Sequence, residues 1–267
     1  MKLKLIRDGV EPTVVVINGF LSESTTDVTD WLSVVDELYP KNRVVHFTWP
    51  SSSLKRILTK FLGTSFIKVI MKSAATLPAE AVTEIAVEWK RALQKSREAG
   101  AWLANYINND NGKYVFMGHS LGARVSYHAL SGITRKESVH SALLFGGAIS
   151  KSESWNKIFD THPDTLITNC HSENDLVLRY FYRIGTLLNN TPIGLEAIEL
   201  KGKSLIYNID LSNIVDGHTD YKVQDVGIWI ASMVKITNGG EGGFSSLSTE
   251  QASWFRRTMW RASNIFS

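Results

Sequence analysis

The chain has a single cysteine, Cys170, in 267 residues. One thiol cannot build an internal disulfide framework, which fits a reducing compartment. Cys170 lies in the apolar run 165–171, where a buried, inert thiol is expected. No charge-free apolar run approaches the ~20 residues of a membrane span, and no secretory apolar segment follows the opening MKLKLIRD. These absences point to a cytoplasmic protein whose membrane contact, if it has any, is peripheral. A net charge of +3 is too small to argue for nucleic acid. Zinc-ligand spacings, phosphate loops and internal repeats are missing too, so no metal and no cofactor is expected. What remains is an ordinary composition, 43% hydrophobic and 21% charged, long enough for one α/β domain with a full core or two small domains.

The most informative stretch is 113–122, KYVFMGHSLG. Tyr114 to Met117 read as a short buried strand, and Gly118, Ser120 and Gly122 form the G-x-S-x-G pattern before a helix running through Ala123, Arg124, Val125 and Tyr127. A chain that turns from strand to helix in so few residues forces the serine into a strained conformation. Glycines two before and two after it remove the Cβ atoms that would clash across the turn. The serine hydroxyl is then held at a helix start, where the N–H of Leu121 and the positive end of the dipole favour a developing oxyanion. A serine capping an ordinary helix is the plainer reading of the same letters.

The flanking chain reads as alternating strands and helices. Val14 to Asn18 is an apolar run ending in Asn18-Gly19-Phe20-Leu21, as in a central parallel strand buried on both faces. The loop after such a strand lends a second oxyanion N–H, here from Phe20 or Gly19. A helix at 27–39 and a strand at 43–49 complete a β–α–β unit. Residues 51–77 carry Leu54, Ile57, Leu58, Phe61, Leu62 and Phe66 on one helical face with lysine and arginine as the only charges. That pattern suits an anionic membrane surface, a lid, or a scaffold helix with a solvated lysine face. One long helix is expected over 78–108, with Gly100 marking a bend, then a turn at 108–112 and a strand at 138–147.

A strand at 166–171 is followed at once by Ser172-Glu173-Asn174-Asp175. A carboxylate just past a strand end can orient a histidine; Asp175 is the choice and Glu173 the runner-up. An N-cap for a helix over 176–188 is the structural alternative. After a last strand at 204–210 comes Asp216-Gly217-His218-Thr219-Asp220, a glycine-containing loop in which an imidazole can be aimed. The order Ser, acid, His is that of α/β-hydrolases. A closing helix is expected over 223–237, then a glycine-rich linker at 238–243 and an amphipathic tail at 244–267. The tail's apolar face would need lipid, a partner or the domain's own cleft to cover it.

The segments Asn18 to Leu21, GHSLGARV at 118–125, NCHSENDLVLRYFYR at 169–183 and LSNIVDGHTDY at 211–221 together resemble the poorly characterised α/β-hydrolase family that includes the eukaryotic transmembrane and coiled-coil domain-containing proteins. The resemblance spans most of 13–235. It implies an ester or lipid hydrolase with Ser120 as nucleophile, Asp175 as acid and His218 as base. This chain lacks the membrane-spanning region of the eukaryotic members, and its tail is outside the pattern, so membrane attachment does not follow from the resemblance. The expectation is therefore an α/β-hydrolase fold over 1–237, a mostly parallel sheet with helices on both faces. It would cleave carboxylic esters, lipids foremost, through an acyl-enzyme, with Leu121 and Phe20 donating to the oxyanion. Thioesterase, acyltransferase and a catalytically silent binding module are the alternatives. The partners expected are a lipid or small ester substrate and a peripheral membrane contact through 51–77 or 244–267, without nucleic acid.

Overall fold

The computed structural model describes residues 1–19, 28–50, 79–185, 190–199, 206–235 and 245–246. Phe20, the basic amphipathic stretch 51–77, the linker 238–243 and the tail apart from 245–246 lie outside the described residues. The chain falls into two compact units, Met1–Val28 with Lys41–Tyr221, and Thr29–Pro40 with Lys222–Ser267.

The first unit is built on a seven-stranded sheet. Its strands are β1 (Lys2–Arg7), β2 (Val10–Ile17), β3 (Asn42–Thr48), β4 (Tyr114–His119), β5 (Val139–Phe145), β6 (Leu166–His171) and β7 (Ile206–Asp210), in the order β1-β3-β2-β4-β5-β6-β7. Only β1 runs antiparallel. The unbroken apolar runs expected of doubly buried parallel strands are found at the centre, where Val14 to Ile17 and Val115 to Met117 are wholly buried. This mostly parallel sheet, with the glycine-flanked serine at the end of β4, is the α/β-hydrolase fold.

Register decides what meets at the C-terminal ends of these strands. Ile17 pairs with Gly118, so two residues further on Gly19 arrives beside Ser120. His119 pairs with Phe145, Phe145 with Cys170 and His171 with Asp210. The loops beginning at Ser120, Gly146, Ser172 and Leu211 therefore leave the sheet along one edge, which is where ligands of open parallel sheets bind.

Three helices of this unit support that edge: α2 (Ala79–Asn108), α3 (Leu121–Gly132) and α5 (Leu176–Gly185). In α2 the buried positions Ile85, Trp89, Ala92, Ser96, Ala99, Leu103 and Ile107 recur every three or four residues, one face of a single 30-residue helix. Ser96 keeps its place in that stripe by returning its hydroxyl to the Leu93 carbonyl at 2.7 Å. Gly100 sits where α2 meets α3: a Cβ there would come within 2.4 Å of the His128 Cβ and 2.8 Å of the Val125 carbonyl oxygen. Close helix approach, then, accounts for a glycine that the sequence presented as a bend. Trp89 stacks on Phe181 of α5, ring centroids 6.2 Å apart. The short helix α4 (Asn156–Thr161), too brief to show periodicity, was not expected. Cys170 is fully buried, and burial raises its thiol pKa, as an inert structural cysteine requires.

The second unit pairs α1 (Thr29–Leu38) with α6 (Gln224–Met233). Trp31, Val34, Val35 and Leu38 of α1 and Val226, Trp229 and Ile230 of α6 are buried. The Lys222 amine pairs with the Asp30 carboxylate and lies 5.5 Å over the Trp31 ring, and Gln224 donates to the Glu37 carboxylate at 2.8 Å. The closing helix stops at Met233 rather than reaching 237. β8 (Val234–Lys235) follows it directly and pairs antiparallel with β9 (Ser245–Ser246). Val234 and Ile236 flanking a lysine suit extended chain as well as helix.

Candidate active site

Ser120 ends the β4 turn with φ 57° and ψ −119° and is 1% exposed. The backbone around it is pinned. Its N–H donates to the Phe145 carbonyl at 2.9 Å, and its carbonyl accepts the N–H groups of Ala148 at 3.1 Å and Ala123 at 3.2 Å. Each flanking glycine has a steric reason. A Cβ on Gly118 would lie 2.6 Å from the Gly122 carbonyl oxygen, and one on Gly122 would lie 2.1 Å from that of Ile17. The turn closes only if both positions are bare, and α3 then packs directly onto the end of β2.

His218 lies 4% exposed in the loop after β7, with Nε2 2.9 Å from Ser120 Oγ and Nδ1 2.7 Å from Asp175 Oδ2. An ionised carboxylate only accepts, so Nδ1 carries the proton and donates to Asp175, leaving Nε2 free to accept from the serine hydroxyl. Asp175, fully buried, divides its two oxygens. Oδ2 takes the imidazole, while Oδ1 accepts the Leu178 N–H at 2.8 Å, capping α5. The capping role and the histidine-orienting role thus belong to one side chain. Glu173 is exposed, and it is its carbonyl, not its carboxylate, that engages the chain, accepting from Arg179 at 2.8 Å.

The oxyanion positions are partly on view. Leu121, fully buried, opens α3, where the first N–H groups of a helix have no acceptor within it. Phe20 lies outside the described residues. Gly19, which precedes it, is packed against the serine: a Cβ there would come within 2.7 Å of Ser120 Cβ and 3.2 Å of Oγ. Trp49 Nε1–H donates to the Asn18 carbonyl at 3.0 Å and holds this end of β2 in place.

Several neighbours carry no motif of their own. Ser172 donates to the Val215 carbonyl at 2.8 Å, Asn174 Nδ2 to the Ser212 carbonyl at 2.7 Å, and the Glu173 N–H to Ser212 Oγ at 3.1 Å. These bonds stitch the loop carrying Asp175 to the loop carrying His218. The His119 ring lies against His218, centroids 4.7 Å apart, and against Tyr221 at 5.5 Å. Tyr221 is fully buried; burial first, and the Asp175 charge second, hold its phenol well above the usual tyrosine range, so it stays neutral. Gly146, at φ 50°, has room for nothing larger, since a Cβ would lie 2.8 Å from the Tyr221 ring. Tyr221 was visible in the sequence only as the end of the D-G-H-x-x-Y segment. Among the described residues no group of His, Cys, Asp and Glu is placed to hold a metal ion, and no helix is long and apolar enough to cross a membrane.

Several known proteins resemble this chain in sequence or in structure. An uncharacterized membrane protein, F35D11.3, of Caenorhabditis elegans is 32% identical over 157 residues, covering 55% of this chain and 25% of that protein. The transmembrane and coiled-coil domain-containing protein STS1 of Oryza sativa subsp. japonica is 30% identical over 142 residues, 50% of this chain and 21% of its own length. The chain spans a quarter or less of the length of these relatives. Among solved structures, mouse alpha/beta hydrolase domain-containing protein 10 is 9% identical, covering 85% of this chain and 91% of that one, with a TM-score of 0.41. The esterase domain of a Rhodothermus marinus protein is 10% identical, covering 86% and 96%, with a TM-score of 0.39. The sequence model of one family matches residues 42–233, from β3 to the end of α6. The chain belongs to that family, described as Protein of unknown function (DUF726).

Proposed function

We propose that this protein is a serine hydrolase of carboxylic esters. The observation that carries the reading is the hydrogen-bonded series Ser120–His218–Asp175, on a serine whose backbone sits in the strained region. His218 Nε2 takes the Ser120 proton as Oγ bonds to the acyl carbon. The N–H groups of Leu121 and Phe20 receive the oxyanion. When the tetrahedral species collapses, the ester C–O bond breaks and His218 returns its proton to the departing alcohol. Water, activated by the same imidazole, then releases the acid. Asp175 keeps the proton on Nδ1 throughout and stabilises the imidazolium.

Thioester cleavage and acyl transfer use the same acyl-enzyme and differ in leaving group and acceptor. The apolar, basic segments that favour lipid, 51–77 and 244–267 apart from 245–246, lie outside the described residues, and the geometry of Ser120, His218 and Asp175 bears on the ester bond rather than on the acyl chain. The test is labelling of the purified chain by a fluorophosphonate, together with turnover of p-nitrophenyl and methyl butyrate. Ser120-dependent labelling with turnover is the expected result. Product analysis with added glycerol separates hydrolysis from transfer. Absence of both labelling and turnover would leave a hydrolase fold serving as a binding module.

A further inference from the structure

Tyr221 closes the loop that carries the base. The Asp220 N–H donates to the Gly217 carbonyl at 3.1 Å and turns the chain around His218, after which the Tyr221 side chain is fully buried. It meets three other parts of the site. Its ring lies 5.5 Å from that of His119, which in turn lies 4.7 Å from that of His218. Its hydroxyl faces the Gly194 carbonyl, and that same carbonyl accepts the Ser172 N–H at 3.0 Å, at the root of the acid loop. The ring also closes against Gly146, where a Cβ would lie 2.8 Å from Tyr221 Cε2, 2.9 Å from Cζ and 3.2 Å from Asp175 Oδ2. The phenol end of the ring and the carboxylate oxygen that accepts from His218 therefore flank one bare backbone position.

A plain ring would fill this space, so the hydroxyl needs a reason of its own. Burying a hydroxyl without a hydrogen bond is costly, and buried tyrosines place theirs on a partner. The Gly194 carbonyl is 3.4 Å away, longer than the about 2.5–3.0 Å usual for O–H···O, and it already has a donor in Ser172. The Asp175 carboxylate is the stronger acceptor because it is charged. Burial is the largest cause that keeps the phenol protonated, the Asp175 charge is the next, and a side-chain hydrogen bond between the two adds to them. The carboxylate has room for this donor. Its Oδ1 accepts the Leu178 N–H and its Oδ2 the His218 Nδ1–H, which leaves about two of the roughly four acceptor positions of an ionised carboxylate.

We propose, resting on the ester-hydrolase reading above, that Tyr221 is a positioning residue of the triad, whose hydroxyl donates to Asp175 Oδ2 and holds that oxygen in line with His218 Nδ1. A carboxylate tied to the protein frame only at Oδ1 can swing about its Cβ–Cγ bond. A second fixed donor, at Oδ2, stops it. The alignment matters when His218 takes the Ser120 proton, because the Asp175 charge then stabilises the imidazolium across that one hydrogen bond. Tyr221 acts through Asp175 and moves no proton of its own.

The test compares the purified full chain with Tyr221→Phe, which keeps the ring against Gly146 and removes only the hydroxyl. With p-nitrophenyl butyrate, kcat should fall about tenfold, the scale of one hydrogen bond to a charged group, while KM stays within about twofold. Tyr106→Phe, at an exposed tyrosine of α2, should leave both unchanged. In an Asp175→Asn background Tyr221→Phe should cost less than about twofold further, since the group it acts through is gone. Unchanged kcat, a raised KM in its place, or a loss that recurs undiminished in the Asp175→Asn background assigns Tyr221 to packing and overturns the role. A second measurement uses the unmodified chain. In proton NMR the buried Tyr221 hydroxyl proton should give a nuclear Overhauser contact to the His218 Nδ1 proton, with which it shares an acceptor. A contact to the Ser172 amide proton, with none to His218, places the hydroxyl on the Gly194 carbonyl and overturns the proposal while fluorophosphonate labelling and methyl butyrate turnover persist. Absence of labelling and of methyl butyrate turnover in the unmodified chain overturns the hydrolase reading, and the positioning role with it.

Discussion

Ser120 holds a backbone conformation that L-residues rarely adopt, φ 57° and ψ −119°. Such a position costs about 1–3 kcal/mol, and the strain is unrelated to the hydroxyl. Two substitutions that both remove Oγ should therefore differ in stability. Glycine relieves the strain and gives back about 0.4–1 kcal/mol through the freer unfolded chain; alanine keeps the strain. Ser120→Gly should be more stable than Ser120→Ala by roughly 1 kcal/mol, read from urea unfolding, while both lose ester turnover by several orders of magnitude. Equal stability of the two would remove strain from the account. Asp175 permits a comparison of the same kind. Asparagine retains an acceptor for the Leu178 N–H, so the start of α5 should survive, but it no longer selects the Nδ1–H tautomer of His218. Asp175→Asn should lower kcat on the order of ten-thousand-fold with little change in unfolding midpoint. Glu173→Gln should leave kcat within about twofold, as expected for an exposed side chain away from the site. A larger loss at Glu173 would move the acid by two residues.

At the scale of elements, Gly100 decides between two general rules by magnitude. Glycine inside a helix is worse than alanine by about 1 kcal/mol, so Gly100→Ala in an isolated helix would stabilise. Here the added Cβ would overlap His128 Cβ at 2.4 Å and the Val125 carbonyl oxygen at 2.8 Å, both on α3. Pushing two packed helices apart costs about 1–3 kcal/mol, so overpacking wins and the variant should unfold at lower denaturant. A rise in stability would mean that the two helices separate without loss. Gly100 also marks how far the sequence could be read. A glycine's letter says that a Cβ is unwelcome but not whether a turn or a neighbouring helix forbids it. Gly118 and Gly122 were legible because strand, turn and helix are contiguous in the chain. Asp175 and His218 were legible because each follows a strand end, and parallel strands bring their C-terminal ends to one edge. Ser172, Asn174 and Ser212 were not, since hydrogen bonds between two loops some 40 residues apart leave no periodic trace. Tyr221 needed the fold before its ring could be placed against Asp175 and Gly146.

Over the whole molecule, buried and half-buried titratable groups outside the site should set the pH range in which the fold is stable. His128 is pushed down to about 3, chiefly by burial and then by Arg124 and Arg97. His162 and His171 are also lowered, burial again being the largest cause. Each takes up its proton at a lower pH in the folded chain than in the unfolded one, where it titrates near pH 6.5. Between pH 6.5 and the folded value the unfolded state binds more protons, so stability is full above 6.5 and is lost as pH falls. On the alkaline side Tyr127 and Tyr182 are pushed up to about 12, mainly by burial. They ionise first in the unfolded chain, so their contribution is full below pH 10 and is lost as pH rises towards 12. The expected profile is a plateau between about pH 7.5 and 9.5 with a fall on both sides. His128 tests the acid limb by itself. One group protonated only in the unfolded state gives a slope of at most about 1.4 kcal/mol per pH unit, and solvent reaching the partly exposed ring makes the real slope smaller. His128→Gln should flatten the dependence of unfolding free energy on pH between 4 and 6, whatever it does to stability at pH 8, because glutamine does not titrate. Parallel acid limbs for the variant and the unmodified chain would mean that His128 takes up its proton equally in both states, and the burial between α2 and α3 that keeps it neutral would have to be reconsidered.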